Sequence, residues 1–186
     1  MGAFKPLLPF GPATVVESCV DYLRRGGVDK VVVVIGHRAD DIRRQLNNSS
    51  VLFAVNTDPD SEMSTSIARG VERVTARVGA VLIALTDQPA IPSIVVSALK
   101  RQWANGSTIV KPEVGSRGGH PVLIDLAYRE ELLNLDPQRG LKGFFTQHAR
   151  EVHRLPVDSA MIARDMDTWD DYVALHREVF GFDPRI

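Results

Sequence analysis

The chain has 186 residues, a length that suits one domain with a sizeable core. Hydrophobic residues make up 44% and charged residues 24%, and the formal net charge of −1 leaves no electrostatic case for a nucleic-acid or membrane-surface partner. The longest apolar run, Val31 to Ile35, is too short to span a bilayer, no signal-peptide pattern opens the chain, and the single Cys19 excludes an intramolecular disulfide, so a cytoplasmic location is expected.

In chain order, the first nine residues of MGAFKPLLPFG hold a glycine, a lysine and two prolines with no strand ahead of them. In ATVVESCVDYLRRGG, Val16, Cys19, Val20 and Leu23 recur at helical spacing, and Gly26 and Gly27 supply a stop. Cys19 thus reads as a small buried hydrophobe rather than a nucleophile. KVVVVIG is a β-branched run that predicts a fully buried parallel strand, followed by a helix in DDIRRQL. VLFAVN (Val51 to Asn56) predicts a second strand, and SIARGVERV a helix with Ile67, Val71 and Val74 on one face. AVLIALTD (Ala80 to Asp87) predicts a third strand, before a helix in PSIVVSALKRQW with Pro92 near its start. STIVKPEV, HPVLID and REVHRLPV predict further strands. The glycines between Gly115 and Asp125 break the alternation and suggest an antiparallel excursion. DTWDDYVALHREVF predicts an amphipathic last helix capped by Asp167 or Thr168. Alternating strands and helices predict an α/β sandwich around a mostly parallel sheet, in a single domain over residues 1–186.

In an open α/β sheet, ligands bind beyond the carboxyl ends of the strands. The residues in that position are Gly36 and His37, then Asn56 and SEMSTS, then Thr86, Asp87, Gln88 and Pro89. Asp87 ends an apolar strand and suits Mg²⁺, which is held by one or two carboxylates plus substrate phosphates; a turn or capping aspartate is the alternative. Ser64, Thr65 and Ser66 stand at a predicted helix start, where free N–H groups bind anions or a hydroxyl simply caps. GSRGGHPVLI presents Arg117 and His120 on a loop whose glycines allow close approach to a ligand. His120 either donates to that ligand or fixes a turn before Pro121. His37, His148, His153 and His176 show no metal spacing. LDPQRGLKGF brings Asp136, Arg139, Gly140 and Lys142 to a turn that offers cations to a phosphate, or is a solvated helix start. ARDMDTWDDY packs Asp165, Asp167, Asp170 and Asp171 together, and a second carboxylate facing Asp87 would complete a Mg²⁺ site.

Taken in order, MGAFKPLLPFG, VVVVIGHRADDIRRQL, an asparagine before SEMSTSIARGV, LTDQPAI, GGHPVLI, RGLKGF and DMDTWDDY resemble the MobA-like nucleotidyltransferases. Within that family they most resemble the molybdenum-cofactor cytidylyltransferase (MocA-type) branch. The resemblance implies a Rossmann-like three-layer sandwich of the nucleotide-diphospho-sugar transferase type. It implies an enzyme in which a phosphate on an acceptor attacks the α-phosphate of a nucleoside triphosphate and pyrophosphate leaves. CTP would be the donor (GTP in the MobA branch), molybdopterin cofactor the acceptor and Mg²⁺ the metal. By the same resemblance, Lys5 and Asp87 are catalytic, and Asp87 and Asp167 hold the metal. Gly2, Lys5, Asn56, Ser64, Ser66, Thr86 and Gln88 would line the nucleotide site, and Gly119, His120, Pro121 and Arg139 would face the acceptor. The implied partners are small-molecule substrates and a molybdoenzyme or its maturation factor, with a monomer or weak homodimer as the assembly.

The family pattern begins with a buried strand and a loop of the form LAAGxSxRMG directly before the lysine. Met1 and Gly2 align with its last two residues, so the resemblance implies a sheet without its first strand. Either the native protein is longer, or the chain is a naturally short relative. A short relative opens a second reading, a cofactor-binding or maturation protein without catalysis. A sugar- or polyol-phosphate nucleotidyltransferase of the same fold is a third.

Overall fold

The computed structural model describes residues 4–75 and 77–185. A 3-10 turn, Lys5–Leu7, leads into a small antiparallel hairpin of β1 (Pro9–Phe10) and β2 (Ala13–Thr14). Helix α1 (Val15–Arg25) starts on a capping box in which the Thr14 hydroxyl accepts from the Glu17 N–H while Glu17 accepts from the Thr14 N–H. It stops at Gly26, where a Cβ would lie 2.3 Å from Val96, so only glycine admits the neighbouring helix.

Strand β3 (Val32–Ile35), helix α2 (Ala39–Gln45) and strand β4 (Leu52–Val55) form a β–α–β unit with β3 and β4 parallel, Val32 opposite Leu52. Helix α3 (Met63–Glu72) then leads to strand β5 (Ala80–Ile83), and helix α4 (Ser93–Ala104) to strand β6 (Ile109–Val114). Short strand β7 (Arg117–Gly118) and strand β8 (Val122–Asp125) come next, followed by helices α5 (Arg129–Leu133) and α6 (Gly140–Gln147). Strand β9 (Val152–Pro156) and helix α7 (Trp169–Phe180) complete the order. Thr168, not Asp167, caps α7, in a capping box with Asp171.

Five of these strands form a mixed sheet. β8 lies between β5 and β6 and runs against both, β7 pairs antiparallel with the end of β6, and β9 pairs parallel with β6. Strands β5, β6 and β9 therefore share one direction, and the glycine-rich stretch makes the antiparallel excursion its composition suggested. Strands β3 and β4 form a separate two-stranded sheet.

The division changes one expectation. The valine run was expected to be fully buried, yet only Val33 and Ile35 of β3 are buried while Val32 and Val34 are half-buried. The cause is an open edge. Among the described residues β3 is paired on β4 alone and β5 on β8 alone, and residues of both strands line a cavity of about 720 Å³. Helix α1 contributes Val16, Val20 and Leu23 to its lining, and α3 contributes Ile67 and Val71.

Three apolar clusters hold the layers. The largest joins α1, β3, α2 and α4; a second joins α3, β8, α5 and α6. The third joins the two ends of the described chain, with Leu8, Phe10 and Val15 packed on Met166, Tyr172 and Leu175. Among the described residues no helix is long and apolar enough to cross a membrane.

Candidate active site

The loops that follow β3, β4 and β5 carry the residues singled out above, and the segment before α7 joins them. After β5, Thr86 is exposed, Asp87 is half-buried and Gln88 is buried. The Asp87 carbonyl accepts from the Met166 N–H at 3.1 Å, which ties this loop to the acidic segment. Met166 is fully buried, so in this extended stretch the flanking Asp165 and Asp167 turn to the opposite side from the core. Gln88 Nε2 donates to Asp165 Oδ1 at 2.6 Å, and Lys5 Nζ donates to Asp167 Oδ1 at 3.1 Å. One lysine and three carboxylates, drawn from both ends and the middle of the chain, are thereby gathered at the carboxyl end of β5.

Asp87 is the strained member. Its Oδ1 is buried with no hydrogen-bond partner. Burial pushes its carboxyl pKa up, and the charges of Asp165 and then Asp167 add to this against a backbone hydrogen bond and the Lys5 charge. Such a group gains from a cation. The donors are all oxygen, as a hard divalent ion prefers, and Mg²⁺ takes one or two carboxylates with phosphate oxygens filling the remainder. No described group of three or more His, Cys, Asp or Glu side chains has the geometry to hold a metal on its own. The set therefore fits an ion that arrives with a phosphate-bearing substrate.

Asp165 was not singled out as a ligand from the sequence, which favoured Asp167. In the structure Asp165 acts on the Asp87 carboxyl more strongly than Asp167 does, and Asp167 is taken up by Lys5. The alternation of acid, buried methionine and acid in DMD was the available signal; which acid faces Asp87 depends on the fold.

The nucleotide-side candidates occupy the start of α3. Its N-cap is Glu62, with no side-chain capping bond, so none of the three hydroxyls caps. The Ser64 Oγ is buried and unpartnered. Asn56 donates to Ser61 Oγ at 2.8 Å and to Ser66 Oγ at 3.0 Å, which folds the loop after β4 back over the helix start. The Thr65 N–H bonds the Glu62 carbonyl at 3.0 Å, and no side chain caps the positive end of the helix dipole. A Cβ on Gly36 would lie 2.7 Å from the Asn56 carbonyl, so the loops after β3 and β4 touch. Gly2 lies outside the described residues.

The acceptor-side candidates divide. His120 is half-buried below β5, with Nδ1 3.3 Å from the Ile83 carbonyl. Burial holds its pKa below the usual histidine value despite that hydrogen bond, so it is neutral near pH 7. Gly119 and Pro121 are buried, and a Cβ on Gly119 would meet the Ile162 carbonyl at 2.0 Å. That contact explains the glycine without a ligand. Arg117 and Arg139 are exposed; Arg139 lies over Gly143 at the start of α6, where Asp136 fixes the turn by accepting from the Gln138 and Arg139 N–H groups. Cys19, whose thiol burial pushes up to about 12, is no nucleophile.

Comparison with known proteins bears on the family and the fold. A sequence profile described as the MobA-like NTP transferase domain matches residues 1–152. The nicotine blue oxidoreductase of Paenarthrobacter nicotinovorans is 28% identical over 172 residues, covering 88% of this chain and 83% of that protein. A homologue of Mycobacterium tuberculosis Rv0371c, from Mycobacterium sp. strain JC1, superposes with a TM-score of 0.84 at 25% identity, over 96% of this chain and 89% of that one. Rv0371c of M. tuberculosis H37Rv in complex with manganese superposes with a TM-score of 0.80 at 24% identity, over 93% and 91%.

Proposed function

The chain belongs to the MobA-like NTP transferase family, and on that premise we propose that it transfers CMP from CTP to molybdopterin cofactor, with Mg²⁺ and with release of pyrophosphate. The observation that carries the reading is the Asp87 site: a half-buried carboxylate with an unpartnered oxygen, set beside Asp165, Asp167 and Lys5 at a strand end. The manganese bound by the Rv0371c structure supports a divalent ion in this fold. The choice of CTP and of the pterin rests on the motif resemblance.

In this reading the acceptor phosphate oxygen forms a bond to the α-phosphorus as the bond to the bridging oxygen breaks, and pyrophosphate leaves with that electron pair. The protein's contribution is position and charge. Asp87, with Asp165 or Asp167, would hold the ion, which supplies positive charge to the phosphate oxygens. The Lys5 ammonium, freed from Asp167 by a competing phosphate, neutralises the charge that develops on the triphosphate. The α3 N-terminus and the Ser64 hydroxyl receive an anionic group. Neutral His120 stands behind Asp87 as a hydrogen-bonding wall.

The test is pyrophosphate release by this chain with each nucleoside triphosphate in turn, with and without the pterin acceptor and with Mg²⁺ or Mn²⁺. Release with CTP that depends on both acceptor and metal is expected. Release with GTP alone moves the chain to the other branch, turnover with a sugar phosphate alone moves it to that substrate class, and tight pterin binding without turnover makes it a carrier. A second reading, an oxidoreductase, is favoured by the name of the 28% identical relative. Reduction of nicotine blue by this chain at the expense of a supplied two-electron donor, without pyrophosphate release, would establish it.

A further inference from the structure

We propose that Lys111 is the acceptor-side cation of the site: its ammonium receives the phosphate group of an anionic acceptor, while Lys5 meets the triphosphate. The inference rests on the transfer reading above and adds to it the residue and the charge class that select the acceptor.

Lys111 belongs to β6 and shares a strand face with Ile109, which lies in the same apolar cluster as Phe144 of α6. Its side chain runs toward the carboxyl end of the strand. A Cβ on Gly118 of β7 would meet Lys111 Cε at 2.5 Å and Nζ at 2.9 Å, and Gly118 pairs with Glu113, two residues further along β6. The ammonium stands 5.1 Å from the centre of the Phe145 ring, within cation–π range. His120 follows Gly118 by two residues. Burial is the main cause of its lowered pKa, and the Lys111 charge adds to that against the charges of Asp87 and Asp165. The sheet thus delivers a lysine to the end where Lys5 and the three carboxylates are gathered, with neutral His120 in reach of both groups.

The charge of Lys111 is unmet. The residue is half-buried, and among the described residues no carboxylate forms an ion pair with it. Its partner in register on β9 is another cation, Arg154, and Arg154 Nη1 takes up Glu113, the acid on the same face of β6, at 3.2 Å. A half-buried cation without a counter-ion costs stability, as the unpartnered oxygen of Asp87 does with the opposite sign. Asp87 calls for a cation and Lys111 for an anion. Transfer from one phosphate to another brings two anions together, so the acceptor needs positive charge of its own beside that supplied to the donor. Arg117 and Arg139, the other cations considered for the acceptor, are exposed. A half-buried ammonium is less screened by water and so selects more strongly for an anion.

The test measures pyrophosphate release with CTP, varying each substrate in turn, and uses whichever acceptor is turned over, pterin or sugar phosphate. Lys111→Met keeps the apolar stem. It should raise the KM for the acceptor by roughly tenfold to a hundredfold, the scale of a lost hydrogen bond to a charged group, and leave that for CTP within about twofold. It should also raise the thermal midpoint, because an unmet ammonium is removed, whereas loss of a structural lysine would lower it. Lys111→Arg should recover most of the acceptor binding. Gly118→Ala displaces the ammonium without removing its charge and should also weaken the acceptor alone. Lys30→Met removes an exposed lysine ahead of β3 and should change neither KM. An unchanged acceptor KM in Lys111→Met, an equal rise in both KM values, or a fallen midpoint with only kcat reduced overturns the inference. A parent chain that turns over no nucleoside triphosphate defeats the transfer reading by itself, and calorimetry with the pterin then decides Lys111. Binding weakened roughly tenfold or more in Lys111→Met and recovered in Lys111→Arg supports the assignment; equal binding, or none by the parent, overturns it.

Discussion

Glu131 and Glu151 bracket His148 at 2.7 and 3.1 Å, and Glu151 also accepts from the Tyr128 hydroxyl, which in turn lies 3.3 Å from Thr108. At the carboxyl end of β5, Asp87 keeps a buried oxygen with no partner, and the charges of two further carboxylates act on it against that of Lys5. Both clusters mix acids with a cationic group on one scaffold. The first distributes its carboxylates over donors that belong to the fold. The second withholds a donor from the acid that most needs one. Buried polar groups are normally satisfied, so a shortfall held in place by surrounding packing points to a ligand. The contrast separates an acidic cluster closed on its own donors from one that leaves a buried carboxylate oxygen unmet.

The largest effect expected from breaking that contrast is on turnover. Asp87→Asn should lower pyrophosphate release by about 10²–10³-fold. The same change should raise the thermal midpoint of the ligand-free protein, because the burial and the neighbouring charges that oppose the ionised carboxyl no longer act. The sign in pH follows. The folded-state pKa of Asp87 is raised, so ligand-free stability is full below the ordinary aspartate value and falls as pH rises through the raised one. Melting curves across that window should show the fall in the parent chain and not in Asp87→Asn.

Lys5→Ala should lower turnover by about 10²-fold and change stability by no more than about 0.5 kcal/mol, because its pair with the exposed Asp167 is a surface one. Retained turnover would remove Lys5 from the site. Mn²⁺ at one hundred times its dissociation constant should stabilise the parent chain by about 2.7 kcal/mol. Asp165→Asn should diminish that gain more than Asp167→Asn does, if the charge that acts most on Asp87 also shares the ion. Equal gains in all three proteins would place the ion elsewhere.

The smallest effect lies in the other cluster. Burial pulls the His148 pKa down, but hydrogen bonds to Glu131 and then Glu151, with both charges, carry it above the usual histidine value. Its contribution is therefore full below about 6.5 and is lost as pH rises through the raised value. His148→Gln should flatten that part of the stability profile and leave turnover unchanged. Lost turnover would mean that the structural cluster also serves the site.

Much of the fold was legible because the valine-rich runs, the Gly26–Gly27 stop and the helix start at Asp167 or Thr168 are local signals. The antiparallel excursion showed itself through its glycines. The two-residue strands of the first hairpin and the five-residue α5 were not legible, since neither is long enough to show a period. The half-exposure of β3 was hidden because burial depends on the neighbour a strand lacks. At the site, position at a strand end pointed to Asp87, whereas the approach of Asp165 and Asp167 to it depends on a long-range contact, the Met166–Asp87 backbone bond, that no local pattern shows. Gly119 read as room for a ligand and proved to be room for the Ile162 carbonyl. The hydroxyls before α3 read as caps or anion donors, and only the structure showed that none of them caps.

Tyr172 donates to the Pro9 carbonyl at 2.6 Å, and the Gly11 N–H donates to His176 Nε2 at 3.2 Å, so the hairpin is fastened to the last helix. Lys5 and its partner Asp167 are set by that same junction. A ribosome delivers the lysine first and the fastening helix last. On the nascent chain the lysine has neither its carboxylate nor its apolar seat until α7 has left the exit tunnel. The proposed site is thus withheld until synthesis is nearly over, and a product stalled before Trp169 would carry β3 to β9 without it.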